Sequence, residues 1–228
     1  MFNQIVFDTP QTIQFISRTP RLKALKEAHL FFEEDGSRIN LGMPKRFRSL
    51  GLIKGMLRAK TSCEVFDWQV SSLEQVCTSC LPSLSALEDL YIYDHPQSPP
   101  DWKYLENDLW LQLLNPFSGV KNLFLTREYV QHIVPALQDL VGDRTTEVLP
   151  ALENIFLDKA TFLLPGYAQD DIAKEYVCMP TVRGRSLKET EPWKSINEGF
   201  GKFVAARQLS DHPISVSSFP PDHTLIWI

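Results

Sequence analysis

The 228-residue sequence lacks the features of a secreted or membrane-spanning protein. Four cysteines are too few for the disulfide framework of a secreted domain, which points to a cytoplasmic or nuclear protein. The apolar runs fall far short of the roughly 20 residues that span a bilayer. The first residues lack the charged and apolar regions of a signal peptide. We therefore expect a protein with no membrane partner. A chain of this length can form a stable hydrophobic core without disulfide bonds or a structural metal.

Signatures of catalysis are also missing. The sequence has no G-x-S-x-G elbow, H-E-x-x-H, Walker A loop or kinase signature. The pair Asp170-Asp171 lies in an irregular stretch, where we interpret it as solvating the chain rather than binding a metal. We expect no enzymatic activity and no cofactor, with a small enzyme of unknown class as the remaining alternative.

Two cysteines have the C-x-x-C spacing of redox and zinc sites. Cys77 and Cys80 fall about two turns inside a predicted helix, on its apolar stripe, whereas a redox pair lies at a helix N-terminus. Cys63, Cys178 and the five histidines add no zinc-ligand spacing. Since free cysteine is a small, often buried hydrophobe, we predict that the pair packs in the core and that no metal is bound.

The charge is uneven, although the net charge is only −5. Seven basic residues and no acidic ones lie between Gly36 and Cys63: Arg38, Lys45, Arg46, Arg48, Lys54, Arg58 and Lys60. Scattered glycines predict a basic loop over about 36–62 with room for one short helix. We expect it to stay solvated and to dock on the acidic remainder of the chain. The alternative is nucleic-acid or anionic-ligand binding through 36–63.

A hydrophobic motif recurs along the chain. Its copies are Leu25-x-x-Ala28-x-Leu30, Leu87-x-x-Leu90-x-Ile92, Val120-x-x-Leu123-x-Leu125 and Leu152-x-x-Ile155-x-Leu157. The interval between the first two copies is nearly twice as long as the later ones, so it has room for one degenerate copy, for which Cys63-x-Val65 is the best candidate. Further strands at about 4–7 and 213–216 would close the two ends, and an irregular insertion is predicted over about 159–194.

Helical stripes precede the copies. One stripe runs from Leu73 to Leu84, with Ser71 and Glu74 as its capping box and Pro82 near its end. Others cover 129–140, 196–204 and, more briefly, 10–17. Short strands alternating with helices imply parallel strands. The sequence therefore predicts one α/β domain over 1–228, a short irregular leucine-rich-repeat-like solenoid with strands on the concave side and helices on the convex side. A Rossmann-like sheet would require a G-x-G-x-x-G turn, which is missing.

Long segments of the chain resemble a known family. They are Arg18–Ala28, Asp67–Leu73, Cys77–Pro82 with Leu87–Ile92, Glu147–Pro150 with Phe156-Leu157, and Gly201–Gln208. These segments are similar to fungal F-box proteins with a leucine-rich-repeat-like C-terminal region, over most of 1–160 and 195–217. The resemblance implies an intracellular substrate adaptor of an SCF-type ubiquitin ligase.

The chain departs from that family in two ways. The F-box module has no counterpart in the sequence, so we expect no contact with the Skp-type adaptor by this chain alone. The polar position after the motif, usually Asn in regular leucine-rich repeats, holds His95, Glu128 and Ala160. We therefore expect no Asn ladder and irregular repeats.

Aromatic residues lie between the core positions of the predicted strands. Because side chains alternate faces, Tyr91 and Tyr93 should point away from Leu90 and Ile92. The positions equivalent to Tyr91 are His29, Phe124 and Phe156. We predict an aromatic row on the concave face that binds an unknown protein partner. The alternatives are that the basic loop or the insertion covers the row, or that the strand register differs.

Overall fold

A computed structural model describes residues 25–42, 57–79, 81, 84–94, 106–140, 142–157 and 191–219 of the chain. These residues form seven β-strands, four α-helices and 3-10 turns at Leu84–Ala86 and Gly142–Arg144. In chain order the elements are β1 (Glu27–Glu33), β2 (Gly36–Gly42), β3 (Leu57–Ser62), α1 (Phe66–Ser79), β4 (Asp89–Asp94), α2 (Asn107–Leu114), β5 (Asn122–Leu125), α3 (Arg127–Gln138), β6 (Asn154–Leu157), α4 (Glu191–Leu209) and β7 (Ser215–Ser218).

The strands form one mixed sheet in the order β3-β2-β1-β4-β5-β6-β7. Strands β1, β4, β5, β6 and β7 are parallel, and each pairs with the next in this series. Strands β2 and β3 continue the sheet beyond β1 in antiparallel pairing. The predicted α/β class and the parallel pairing are therefore confirmed for five strands.

The recurring motif aligns in space. Leu30 pairs with Ile92, Ile92 with Leu125, and Leu125 with Leu157, so equivalent positions of the four copies are side by side. The strand predicted near 213–216 is β7, which begins slightly later, at Ser215. The strand predicted at 4–7 and the helix predicted at 10–17 lie outside the described residues, as does the insertion up to residue 190.

The interval between the first two copies differs from the prediction. Residues 36–42 and 57–62 are strands rather than parts of a loop, and β3 ends at Ser62, just before Cys63. Cys63 and Val65 therefore form no strand; they lead into α1. Strand β2 belongs to the sheet because its alternate residues Ile39 and Leu41 are buried in the core. The extra length is thus two antiparallel strands and not a further parallel copy.

Helix α1 begins at Phe66, ahead of the start predicted at Ser71. The amide N–H of Gln69 donates to the carbonyl of Val65 (3.0 Å), so the first turn already forms around Phe66. The hydroxyl of Ser71 donates to the carbonyl of Asp67 (2.9 Å) from within the helix, so the predicted capping box at Ser71 is wrong. Cys80 and Pro82 lie outside the described residues.

Helix α2 had no counterpart in the prediction, whereas α3 and α4 did. The short α2 helix buries Trp110, Leu111, Leu113 and Leu114. Its apolar stripe covers only about two turns, too short to stand out by periodicity. The α3 stripe is buried as predicted, including Tyr129, Ile133 and Leu137.

The helices pack on one side of the sheet, here called the helix face. There the apolar strand positions join the helix stripes in one core, which includes Leu30, Leu90, Leu123, Ile155, Val70, Leu113, Ile133 and Phe203. The opposite side carries a separate cluster around Tyr91 and Phe124 and is here called the aromatic face. No helix among the described residues has the length and apolar character needed to cross a membrane.

Candidate interaction face

One lateral row of residues crosses the aromatic face from one end of the sheet to the other. Each member pairs with the next across neighbouring strands: Arg58, Asn40, His29, Tyr91, Phe124, Phe156 and Ser217. The sequence predicted four of them to be equivalent: His29, Tyr91, Phe124 and Phe156. The predicted register is therefore confirmed, and the alternative of a different register is excluded for these strands.

The four rings form a continuous stack. The ring centroids of His29 and Tyr91 are 4.5 Å apart and the rings are nearly parallel, at 6°. Tyr91 and Phe124 follow at 4.2 Å and 8°, and Phe124 and Phe156 at 4.7 Å and 18°. The spacing matches the roughly 4.8 Å between neighbouring strands, so the pairing itself sets the stack.

The centre of this stack is buried. Tyr91 is 0% exposed and Phe124 is 2% exposed, while Phe156 is partly buried. Phe219, directly after β7, packs edge-on against Phe124 with centroids 5.5 Å apart. The two central rings therefore offer a partner almost no accessible surface. Their burial favours the alternative of intramolecular cover there, and Phe219 is one residue that provides it.

His29 and Phe31, both on β1, contact charged side chains at the end of the stack nearest to β2. Nε2 of His29 lies 3.3 Å from a carboxylate oxygen of Glu27, and both side chains are buried. The guanidinium of Arg38 lies 4.5 Å from the ring centroid of Phe31, a cation–π contact. The backbone of Tyr93 pairs with Phe31; the side chain of Tyr93 lies outside the described part of the structure.

A second row, of polar side chains, runs along the starts of the parallel strands. The amide of Asn122 donates to Asp89 (2.7 Å), and the amide of Asn154 donates to Asn122 (2.9 Å). The hydroxyl of Ser215 then donates to Asn154 (2.7 Å). The Asn ladder that we expected to be missing concerns positions 95, 128 and 160, whose side chains lie outside the described part of the structure. The amides come just before the second leucine of the motif, not after its end.

Three basic residues of β2 and β3 lie at the other end of the aromatic face, and two of them contact acidic side chains. Arg38 lies 3.2 Å from Glu33, and Lys60 contacts Glu33 at 3.0 Å and Asp35 at 3.4 Å. The hydrogen bond to Glu33 is the main cause that raises the pKa of Lys60. These two cations dock on acidic residues of the same chain, as the sequence led us to expect. Lys45, Arg46, Arg48 and Lys54 lie outside the described residues, so nucleic-acid binding through 36–63 stays a prediction.

The prediction that Cys77 packs in the core is confirmed. Cys77 is buried on α1 among core residues, and Cys63 is a partly buried free thiol. Within the described ranges no three side chains of the metal-binding types cluster closely enough to hold an ion. Cys80, Cys178 and Asp170-Asp171 lie outside those ranges.

Sequence reasoning missed a buried arginine of α4 that binds the loop before β6. Arg207 on α4 is 0% exposed. Its guanidinium donates to four backbone carbonyls, those of Thr145 (3.1 Å), Leu149 (3.3 Å), Pro150 (3.3 Å) and Leu152 (2.9 Å). Burial lowers the pKa of Arg207. The loop includes Leu149 at a φ of 51°, a costly conformation for a branched residue. We infer that Arg207 holds this loop in place.

Comparisons of the chain with protein-family models, with curated proteins and with solved structures found no match. The family resemblance therefore rests on the sequence segments alone, and its functional implications are proposals.

Proposed function

We propose that this chain is a non-enzymatic protein-interaction module, similar to the substrate-recognition region of a fungal F-box protein. The observation that carries the proposal is the difference between the two faces of the sheet. Four helices pack on one face, while equivalent side chains of successive strands form rows across the other. The members of these rows that remain accessible, among them Phe156 and Arg58, offer a partner an extended surface, which is what a binding module needs.

The finer architecture belongs to the same proposal. Consecutive parallel strands, each separated from the next by a helix, are the arrangement of a leucine-rich-repeat-like solenoid, irregular here because β2 and β3 interrupt the series. In such a solenoid the strands lie on the concave side, which would make the aromatic face the concave one. The polar row of Asp89, Asn122 and Asn154 then serves to keep the strands in register.

The partner contacts the parts of the aromatic face that remain accessible. Phe156 and Phe31 are partly buried, and Arg58 is exposed, whereas Tyr91 and Phe124 support them from within the stack. By the resemblance, the partner is a protein destined for ubiquitination.

Site-specific photocrosslinking tests the proposal. Benzoylphenylalanine replaces Phe156 on the aromatic face or, as the matched control, Gln131 on the exposed side of α3. We expect irradiation in cells to give a defined crosslinked protein from position 156 and not from position 131. The same proteins from both positions, or only intramolecular products from 156, would contradict the proposal.

A further inference from the structure

The outer edge of β3 is open along the described residues. β3 is the first strand of the sheet and pairs there only with β2. The amide N–H of Cys63 donates to the carbonyl of Asp35 (2.9 Å), which shows that residue 63 faces β2. Because backbone groups alternate sides along a strand, the N–H and C=O groups of Arg58, Lys60 and Ser62 face away from β2. They have the spacing that an added strand requires.

An added strand would lie beside side chains of β3 on both faces of the sheet. Arg58 and Lys60 are exposed on the aromatic face. Leu57 and Ala59 alternate with them and pack, partly buried, against the core on the helix face. A strand added to this edge would therefore contact basic side chains on the aromatic face and apolar side chains on the helix face.

The charge at this edge is compensated at one position and uncompensated at the other. Lys60 already contacts Glu33 and Asp35. Nε of Arg58 donates only to the amide oxygen of Asn40 (3.1 Å), and no carboxylate of the described residues lies within ion-pair distance of it. Arg58 is thus the cation that an acidic side chain on a neighbouring strand would meet first.

We propose that the outer edge of β3 binds an extended segment of a partner protein in which acidic residues alternate with apolar ones. This inference rests on the proposed protein-interaction function and names the chemistry of the partner. The segment adds as an eighth strand, its backbone bonded to Arg58 and Lys60, its acidic residues beside their side chains and its apolar residues beside Leu57 and Ala59. A second copy of this chain fits poorly, because antiparallel self-pairing brings the basic side chains of two β3 strands together.

The test uses the full chain and a dye-labelled, acetylated octapeptide in which Glu alternates with Val, with binding followed by fluorescence anisotropy. Matched peptides carry Lys in place of Glu, or N-methyl groups on one or the other alternating set of amides. We expect the Glu peptide to bind and the Lys peptide to lose at least about 10-fold in affinity. One N-methylated set should abolish binding while the other leaves it intact, because only one set faces the strand.

Variants of the chain locate the site. Arg58→Glu should weaken binding at least about 10-fold and Lys60→Glu less, because Lys60 is already paired. Lys202→Glu makes the same charge change at an exposed position of α4 and should leave binding unchanged. Equal affinity for the Glu and Lys peptides, or equal effects of Arg58→Glu and Lys202→Glu, would overturn the proposal.

Two further outcomes separate this inference from the broader function. If no peptide binds and Arg58→Gln makes the chain self-associate, the basic residues only protect the edge against aggregation, and the inference fails. A defined crosslink from position 156 in that case leaves the protein-interaction function standing. If the peptide does not bind and position 156 gives no defined crosslink, both proposals are overturned.

Discussion

The two ends of the sheet are built in different ways. From β1 through β7 the parallel strands follow one another with helices between them, and the motif recurs at nearly equal intervals from β4 to β6. At the other end β2 and β3 pair antiparallel, without a described helix between them and without the motif. The parallel part is held by rows of like side chains, the antiparallel part by individual close contacts. Substitutions in each part and at their junction test this difference.

The largest effect is expected in the parallel part, from Arg207→Met. The change leaves four backbone carbonyls in a buried loop without their charged donor, and we expect a loss of about 3–5 kcal/mol in the free energy of unfolding. Urea denaturation measures it, with Lys202→Met on the exposed side of the same helix as the control. A loss below about 1 kcal/mol would show that Arg207 does not hold the loop.

Gly36→Ala tests the antiparallel part. A Cβ at Gly36 would lie 1.9 Å from the carbonyl oxygen of Thr61, so the β2–β3 pairing must shift. We expect a loss of about 2–3 kcal/mol in the free energy of unfolding. The control, Gly42→Ala at the far end of β2, meets nothing within 4 Å. Equal stabilities of the two variants would show that the close approach of β2 and β3 is unimportant.

Asn122→Ala removes the centre of the polar row. Its amide donates to Asp89, and its carbonyl oxygen accepts from Asn154. The loss of two hydrogen bonds should cost about 1–2 kcal/mol in thermal or urea unfolding. Ser215→Ala, at the exposed end of the row, removes one bond and should cost less. An equal or larger cost at Ser215 would argue against a cooperative row.

The smallest effect is expected at β1, the strand that pairs with β2 on one side and with β4 on the other. Nζ of Lys26, just before β1, lies 2.6 Å from a carboxylate oxygen of Glu88, just before β4. This hydrogen bond is the main cause that lowers the pKa of Glu88. Since the folded-state pKa lies below the unfolded one, the stabilisation is present at neutral pH and is lost as the pH falls through the lowered pKa. We expect Glu88→Gln to cost about 0.2–1 kcal/mol at neutral pH, because the two side chains, 42% and 44% exposed, are in contact with water.

The pH and salt dependence of the Glu88→Gln effect provide its check. The difference between the variant and the original chain should shrink in acid and in high salt when unfolding is followed by circular dichroism. A difference that persists in acid would mean that the ion pair does not stabilise the junction between β1 and β4.

The parallel part was predictable because its information is local. A strand motif and a helical stripe are each contained in a short stretch of sequence, and the recurrence of the motif aligned His29, Tyr91, Phe124 and Phe156 correctly. The short stripe of α2, around Trp110, carried too little periodicity to be recognised. The polar row was not predicted, because the family pattern concerned the position after the motif, whereas Asn122 and Asn154 lie within it.

The antiparallel part was not predictable from the same signals. Basic residues and glycines in 36–62 are typical of a loop, and the strands exist because Ile39 and Leu41 join a core assembled from distant segments. The fit of Gly36 against Thr61 likewise depends on two positions that lie far apart in the chain. A sequence pattern contains no direct record of such a contact.

By itself, the sequence determined the α/β class, the parallel register and the stacking of one ring per strand, because periodicity and spacing dictate which side chains share a face. Only the tertiary structure decided that Tyr91 and Phe124 are buried, that Arg207 binds a loop distant in the chain, and that β3 is the outermost of the described strands. These properties depend on which segments become neighbours, and that choice is made by the packing of the whole core.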